Sequence, residues 1–214
     1  MAALYRFDDQ WSLGIVLKPR YTLDVNHTNQ TSSVQTGGLG QFNFASEIRT
    51  NAELQFPTIL GAGLAWRPSD AFTLSSDVTW TDWSDYIFKD EVRDPGTGLI
   101  INEKQNPITG EAMDAGKLKD TYTIRFGGEY VIIRETYLLP IRAGCGYDPA
   151  PALRNVDDFY TLSMGLGVQV DHYNFDIAWE YRWGNRVNGD IFKGINASQD
   201  SRQHRVLASL IYYF

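Results

Sequence analysis

The sequence predicts an all-β protein, a transmembrane antiparallel up-and-down β-barrel with about nine strands present, and three observations predict it. Apolar residues recur at every second position over long segments. Tight polar turns alternate with long polar connections, and aromatic residues gather where the segments end.

Composition narrows the alternatives. Six Trp, 12 Tyr and 11 Phe make 14% of the 214 residues aromatic, while the hydrophobic fraction overall is an ordinary 43%. A net charge of −7 and the lack of a basic run argue against nucleic acid as a partner. Cys145 stands alone, which excludes an internal disulfide and a cysteine-based zinc site. No apolar run approaches the ~18 residues of a transmembrane helix. The start, MAALYRFDDQW, lacks the basic and apolar regions of a signal peptide, as expected of a chain that is not exported or of a mature or truncated product.

The strand-like segments follow in order. Residues 2 to 8 form a short one. Residues 11 to 25 set Trp11, Leu13, Ile15, Leu17, Tyr21, Leu23 and Val25 against Ser12, Gly14, Lys18, Arg20, Thr22 and Asp24. Residues 54 to 67 and 72 to 87 split the same way, with Leu60, Leu64 and Trp66, then Leu74, Val78 and Trp80, on their apolar faces. In 121 to 132 the apolar set is Tyr122, Ile124, Phe126, Tyr130 and Ile132; in 137 to 148 it is Tyr137, Leu139, Ile141, Ala143, Cys145 and Tyr147. Residues 159 to 171 alternate Tyr160, Leu162, Met164, Leu166, Val168 and Val170 with Thr161, Ser163, Gly165, Gly167, Gln169 and Asp171. Residues 174 to 184 contribute Phe175, Ile177, Trp179, Tyr181 and Trp183, and the closing VLASLIYYF contributes Val206, Ala208, Leu210, Tyr212 and Phe214. This period of two is that of a strand with one greasy face.

Connection lengths give the topology. Tight turns at 8–10, 67–71, 134–137 and 171–174 take turns with long polar loops near 26–50, 88–117, 148–158 and 185–203. Short turns on one rim and long loops on the other are the pattern of an outer-membrane barrel. Trp11, Trp66, Phe72, Tyr130, Tyr137, Phe175 and Tyr212 fall toward the short-turn rim, and Trp80, Trp83, Tyr86, Tyr122, Tyr147, Tyr160 and Trp183 toward the other, where amphipathic rings suit a headgroup boundary. A soluble lipocalin-like barrel or β-sandwich shows the same alternation read inside out. The polar face here is rich in Gly, Ser and Thr rather than Lys and Glu, which favours a crowded wet lumen.

Three ordered blocks, ELQFPTILGAGLAWRPSDAFTLSSDVTWTDWSDY, LKDTYTIRFGGEYVI and LPIRAGCGYDPAP, continued by DFYTLSMGLGVQVDHYNFDIAWEYRWG, resemble the FadL/TodX family of outer-membrane transporters for hydrophobic compounds. The resemblance implies part of a fourteen-stranded barrel in the outer membrane of a Gram-negative bacterium. Residues 1–214 would be a single β-barrel domain, the C-terminal part, with the N-terminal hatch and early strands absent. It also implies passive transport of long-chain fatty acids or aromatic hydrocarbons, no enzymatic activity and no cofactor. The implied partners are outer-membrane lipid and lipopolysaccharide, a hydrophobic small-molecule ligand, the barrel-assembly machinery that reads a terminal aromatic such as Phe214, and the missing N-terminal part of the barrel. A small complete outer-membrane barrel with a structural or adhesive role is the alternative.

Among polar residues placed on the lumenal face, Arg125, Glu129 and Arg142 are the candidate ligand-binding set, because a guanidinium there can receive the carboxylate of an amphiphile. The same residues also suit cross-strand ion pairs that hold a wall together. Lys18, Arg20, Asp24, Arg67, Asp77, Asp148, Asp176, Glu180, Arg182 and Arg205 complete that inventory. His27 and His204 lie at strand or loop ends near Ser32, Ser33 and Ser201, His172 sits in a tight turn, and no spacing marks a hydrolytic triad. The acidic residues of 88–117 do not have calcium-loop spacing. The Gly pairs at 61/63, 127/128, 144/146 and 165/167 lie inside strands with no following helix, so they are not phosphate loops.

Overall fold

The computed structural model describes residues 1–37, 40–93, 100–105, 118–152, 156–187 and 199–214, with side chains at 1–26, 52–87, 89, 118–152, 156–187 and 199–214. The strands among them are β1 (Ala2–Arg6), β2 (Trp11–Lys18), β3 (Tyr21–Gly37), β4 (Gly40–Phe56), β5 (Ile59–Ser69), β6 (Phe72–Thr81), β7 (Ile87–Arg93), β8 (Ile100–Gln105), β9 (Thr121–Ile133), β10 (Leu138–Tyr147), β11 (Tyr160–Val170), β12 (Tyr173–Val187) and β13 (Gln199–Tyr212). One 3-10 turn, Trp83–Asp85, precedes β7. Nine strands pair in the order β1-β2-β5-β6-β9-β10-β11-β12-β13, and β3-β4-β7-β8 form a separate four-stranded sheet. The chain divides accordingly into two compact units, Met1–Pro19 with Thr58–Trp83 and Leu118–Phe214, and Arg20–Pro57 with Ser84–Lys117.

The polar composition of 26–50 and 88–117 predicts loops, yet β3 and β4 run through the first and β7 and β8 through part of the second. The β3–β4 ladder is continuous from Tyr21↔Phe56 to Gly37↔Gly40. A ribbon of this kind satisfies its backbone with its own ladder, so a polar sequence does not prevent it from forming. Two prolines explain where the ladders part. The large sheet's last β2–β5 pair is Lys18↔Ile59 and the first β3–β4 pair is Tyr21↔Phe56, so Pro19 and Pro57 both fall in the gap. Neither has an N–H to give a ladder.

Within the nine-stranded sheet the expected alternation becomes two chemically distinct faces. One row on the apolar face runs Ile15, Ala62, Val78, Ile124, Tyr147, Tyr160 and Trp183 across seven strands in direct register. The neighbouring row on the other face runs Gly14, Gly63, Asp77, Arg125, Gly146, Thr161 and Arg182. The four expected tight turns all form. In the first, Asp8 Oδ1 accepts from the backbone N–H of Gln10 at 2.8 Å and of Trp11 at 2.7 Å, an Asx turn. In the last, Asp171 adopts a left-handed φ of 48°, a conformation its short polar side chain tolerates.

Almost nothing in the described residues is a hydrophobic core: the buried apolar side chains are Ala52, Leu118, Ala152 and Phe159. The chain exposes 15538 Å², whereas a compact soluble monomer of 24.2 kDa exposes roughly 10,000 Å². The excess includes the apolar face, where Leu162, Met164, Leu166, Leu210 and Tyr212 are each about half exposed or more. Among the described residues no ladder joins β1 to β13, so both remain edges.

These faces predict opposite responses to charge. Leu166→Arg, on the apolar face of β11, should lower the unfolding free energy in lipid vesicles by about 2–4 kcal/mol. Ser163→Arg, on the opposite face of the same strand, should cost much less. Urea unfolding of both variants in vesicles checks this, and equal costs would show that the apolar face does not meet hydrocarbon.

Candidate functional site

The polar face of β6 and β9–β13 forms a cleft of about 790 Å³. Its floor is made of small residues, among them Ser75, Gly127, Gly144, Gly146, Ser163 and Gly165, and its charged lining is four guanidinium groups facing five carboxylates. The sequence candidates Arg125, Glu129 and Arg142 all line it. They come together because β9 and β10 are hairpin partners, with Arg142 directly opposite Glu129.

Their surroundings differ. Arg142 Nε donates to Glu129 Oε2 at 2.6 Å and its Nη1 donates to Asp176 Oδ1 at 2.5 Å. Asp176 stands on β12, so the Arg142 side chain crosses the whole of β11 to reach it. It can do so because β11 carries Gly165 and Gly167 there. A Cβ on Gly165 would lie 3.7 Å from the Arg142 Cβ, and one on Gly167 would overlap Asp176 Oδ1 and sit 2.9 Å from Pro140 Cγ. Arg142 is therefore held by two carboxylates through its Nε and Nη1, a strong charge-assisted arrangement.

Arg125 is tied more loosely. Its Nη1 is 3.7 Å from Asp77 Oδ1 and its Nη2 is 4.0 Å from Asp148 Oδ1, and its side chain is more than half exposed. The same device recurs beneath it, where a Cβ on Gly146 would meet Arg125 Cγ at 3.5 Å. Asp148 is shared, accepting from Thr123 Oγ1 at 3.1 Å and from Arg182 Nη2 at 3.3 Å. The Arg182 guanidinium also lies 4.0 Å over the Phe159 ring, and Arg205 pairs with Glu180 at 3.2 Å. Asp148 opens the DPAP segment, whose Ala150 exchanges backbone hydrogen bonds with Asp157.

The rest of the polar inventory goes elsewhere. Arg67 pairs with Asp70 in the turn after β5, while Arg20 pairs with Asp85 in the second unit, which also contains Asp24. Lys18 does not line the cleft. The network hubs Asp148 and Asp176 carry no motif; their importance follows from cross-strand register, which single-segment patterning does not contain. His204 lies within β13 rather than at a loop end, stacked 4.6 Å from Tyr181, and Ser201 alternates to the opposite face. The acidic side chains of 88–117 and those of His27, Ser32 and Ser33 lie outside the described residues. Among the described residues no His, Cys, Asp or Glu group is arranged to hold a metal.

Disruption of the Arg142 bridge should be visible in stability. Arg142→Gln should lower the unfolding free energy by about 1–2 kcal/mol, the half-exposed setting moderating the loss. Gly167→Ala should act similarly by displacing Asp176. In the double variant the costs should not add, because both act on one contact; full additivity in urea unfolding would refute a shared bridge.

Comparison with known proteins places this geometry. The family described as outer membrane protein transport protein (OMPP1/FadL/TodX) matches residues 1–204. Among proteins of curated function no sequence match was found. Two solved structures are similar in fold: a CymD monoaromatic hydrocarbon channel, at a TM-score of 0.63 and 18% identity over 99% of this chain and 50% of that one, and a Pseudomonas aeruginosa FadL homologue, at 0.60 and 16% over 98% and 49%. The chain thus spans about half the length of the structures it matches.

Proposed function

The chain belongs to the OMPP1/FadL/TodX family of outer-membrane transport proteins, and we propose that it forms part of the wall of a channel for passive uptake of hydrophobic compounds, long-chain fatty acids or aromatic hydrocarbons. The observation that carries this is the pairing of faces: a continuous apolar sheet surface backed by a charge-balanced cleft of about 790 Å³. The apolar face meets lipid and the cleft faces the lumen. Further strands pair with the edges of β1 and β13, since an open edge in hydrocarbon leaves backbone groups unsatisfied.

The candidate residues take different roles. Arg142 and Glu129, locked with Asp176, stiffen the wall. Arg125 has the long ion pairs and the exposed guanidinium, so it receives the carboxylate of an amphiphilic ligand. The reaction class is transfer down a gradient, with no covalent step, in keeping with a family of transport proteins rather than enzymes.

Uptake of a labelled long-chain fatty acid and of labelled toluene, by cells with and without the complete gene, tests both levels. Loss of the gene should reduce uptake of one or both; unchanged uptake of both overturns transport. Arg125→Gln should weaken fatty-acid uptake by about tenfold, the equivalent of ~1.4 kcal/mol, and leave toluene unaffected. Equal effects on the two would remove Arg125 from ligand binding.

A further inference from the structure

The apolar face carries an exception at the rim of the long connections. Tyr160, Trp183 and Arg202 lie side by side on β11, β12 and β13, and His204 lies opposite Tyr181 one step further in. Tyr160 to Trp183 at 5.7 Å, Trp183 to Tyr181 at 5.3 Å and Tyr181 to His204 at 4.6 Å form one stacked series, with His204 also stacked 5.8 Å from Trp179 and Tyr147 tilted against Tyr160 at 5.5 Å. Arg202 and His204 are both exposed, and among the described residues neither has a hydrogen bond or ion pair. The nearest carboxylate on β13 is Asp200, whose Oδ1 accepts the Arg186 backbone N–H at 3.1 Å. Elsewhere in the described ladders this face shows no Lys, Arg, Asp or Glu.

An unpaired arginine on a lipid-facing surface is tolerated near the headgroups and penalised at the midplane. Its fork of donors matches a phosphate, and a neutral imidazole also keeps one N–H to donate. The flat rings beside them offer stacking faces for a sugar, which a glycerol phospholipid headgroup does not have. Long connections mark the outer side of the membrane, where the lipid is a phosphorylated glycolipid. We propose that Arg202 and His204, beside the Tyr160–Trp183–Tyr181 stack, dock the phosphorylated glucosamine headgroup of lipopolysaccharide in the outer leaflet. The site rests on the membrane orientation of the sheet and not on what the channel carries.

Purified bisphosphorylated lipid A, titrated into the product of the complete gene folded in detergent micelles and followed by tryptophan fluorescence, tests it. Saturable binding is expected, weakened about tenfold by Arg202→Gln and by enzymatic removal of the lipid phosphates. His204→Gln should weaken it less. Arg134→Gln, which removes a charge at the opposite rim, should leave it intact. Circular dichroism verifies that each variant is folded, and if Arg202→Gln is not, Arg202→Lys, which lacks the planar fork, should still bind more weakly than the parent. Unaltered binding in the folded Arg202 variant overturns the site. Equal affinity for phosphatidylglycerol overturns the glycolipid assignment, and full competition by inorganic phosphate overturns a lipid site altogether. Hydrocarbon uptake is read separately, so either conclusion can fail alone.

Discussion

Every N–H and C=O in the nine-stranded sheet has to find its partner on a neighbouring strand, because the medium against its apolar face supplies none. This requirement accounts for the long uninterrupted ladders, such as the eleven consecutive pairs from Tyr160↔Trp183 to Val170↔Tyr173. It also accounts for the scarcity of core. In a water-soluble sheet one face is sacrificed to a packed interior; here the apolar face is turned outward and the described residues bury only four apolar side chains.

With hydrophobic burial largely unavailable, the polar face holds itself together electrostatically. Arg142 ties three strands by reaching over a fourth, and Asp148 gathers Arg125, Arg182 and Thr123. Such long lateral reaches need a low floor, and Gly146, Gly165 and Gly167 supply it. Glycine normally weakens a strand interior. At these positions a side chain would meet the stems of Arg125 and Arg142 or the carboxylate of Asp176. With four guanidinium groups against five carboxylates, the cleft stays close to neutral.

The two rims have separate chemistry for a related reason. Aromatic stacks occur at both, Trp11 with Trp66 near the tight turns and Tyr160 with Trp183 near the long connections. Arg202 and His204 join the latter on the same face, while at the tight-turn rim the His172 ring lies 6.2 Å from that of Tyr212. An asymmetric membrane presents different headgroups to the two rims, and a sheet that crosses it can be matched to each.

Strand identity, the two faces and the tight turns were legible in the chain because a period of two is local: Leu162, Met164 and Leu166 share a face whatever their neighbours are. The resemblance of ordered blocks likewise pointed to the family before any geometry. The β3–β4 and β7–β8 ribbons were not legible: alternation carries Tyr21, Leu23 and Val25 on from Trp11 to Leu17 as one strand, whereas the chain breaks at Pro19 and those residues belong to β3 of the other sheet. Nor were the roles of Arg125, Glu129 and Arg142, which sequence places on one face without saying which is engaged. Arg142 meets Asp176 across 34 positions of chain, and that meeting depends on the register of two hairpins and on a glycine in the strand between. Side-chain direction follows from neighbours in sequence, whereas pairing follows from neighbours in space, and only folding brings those together.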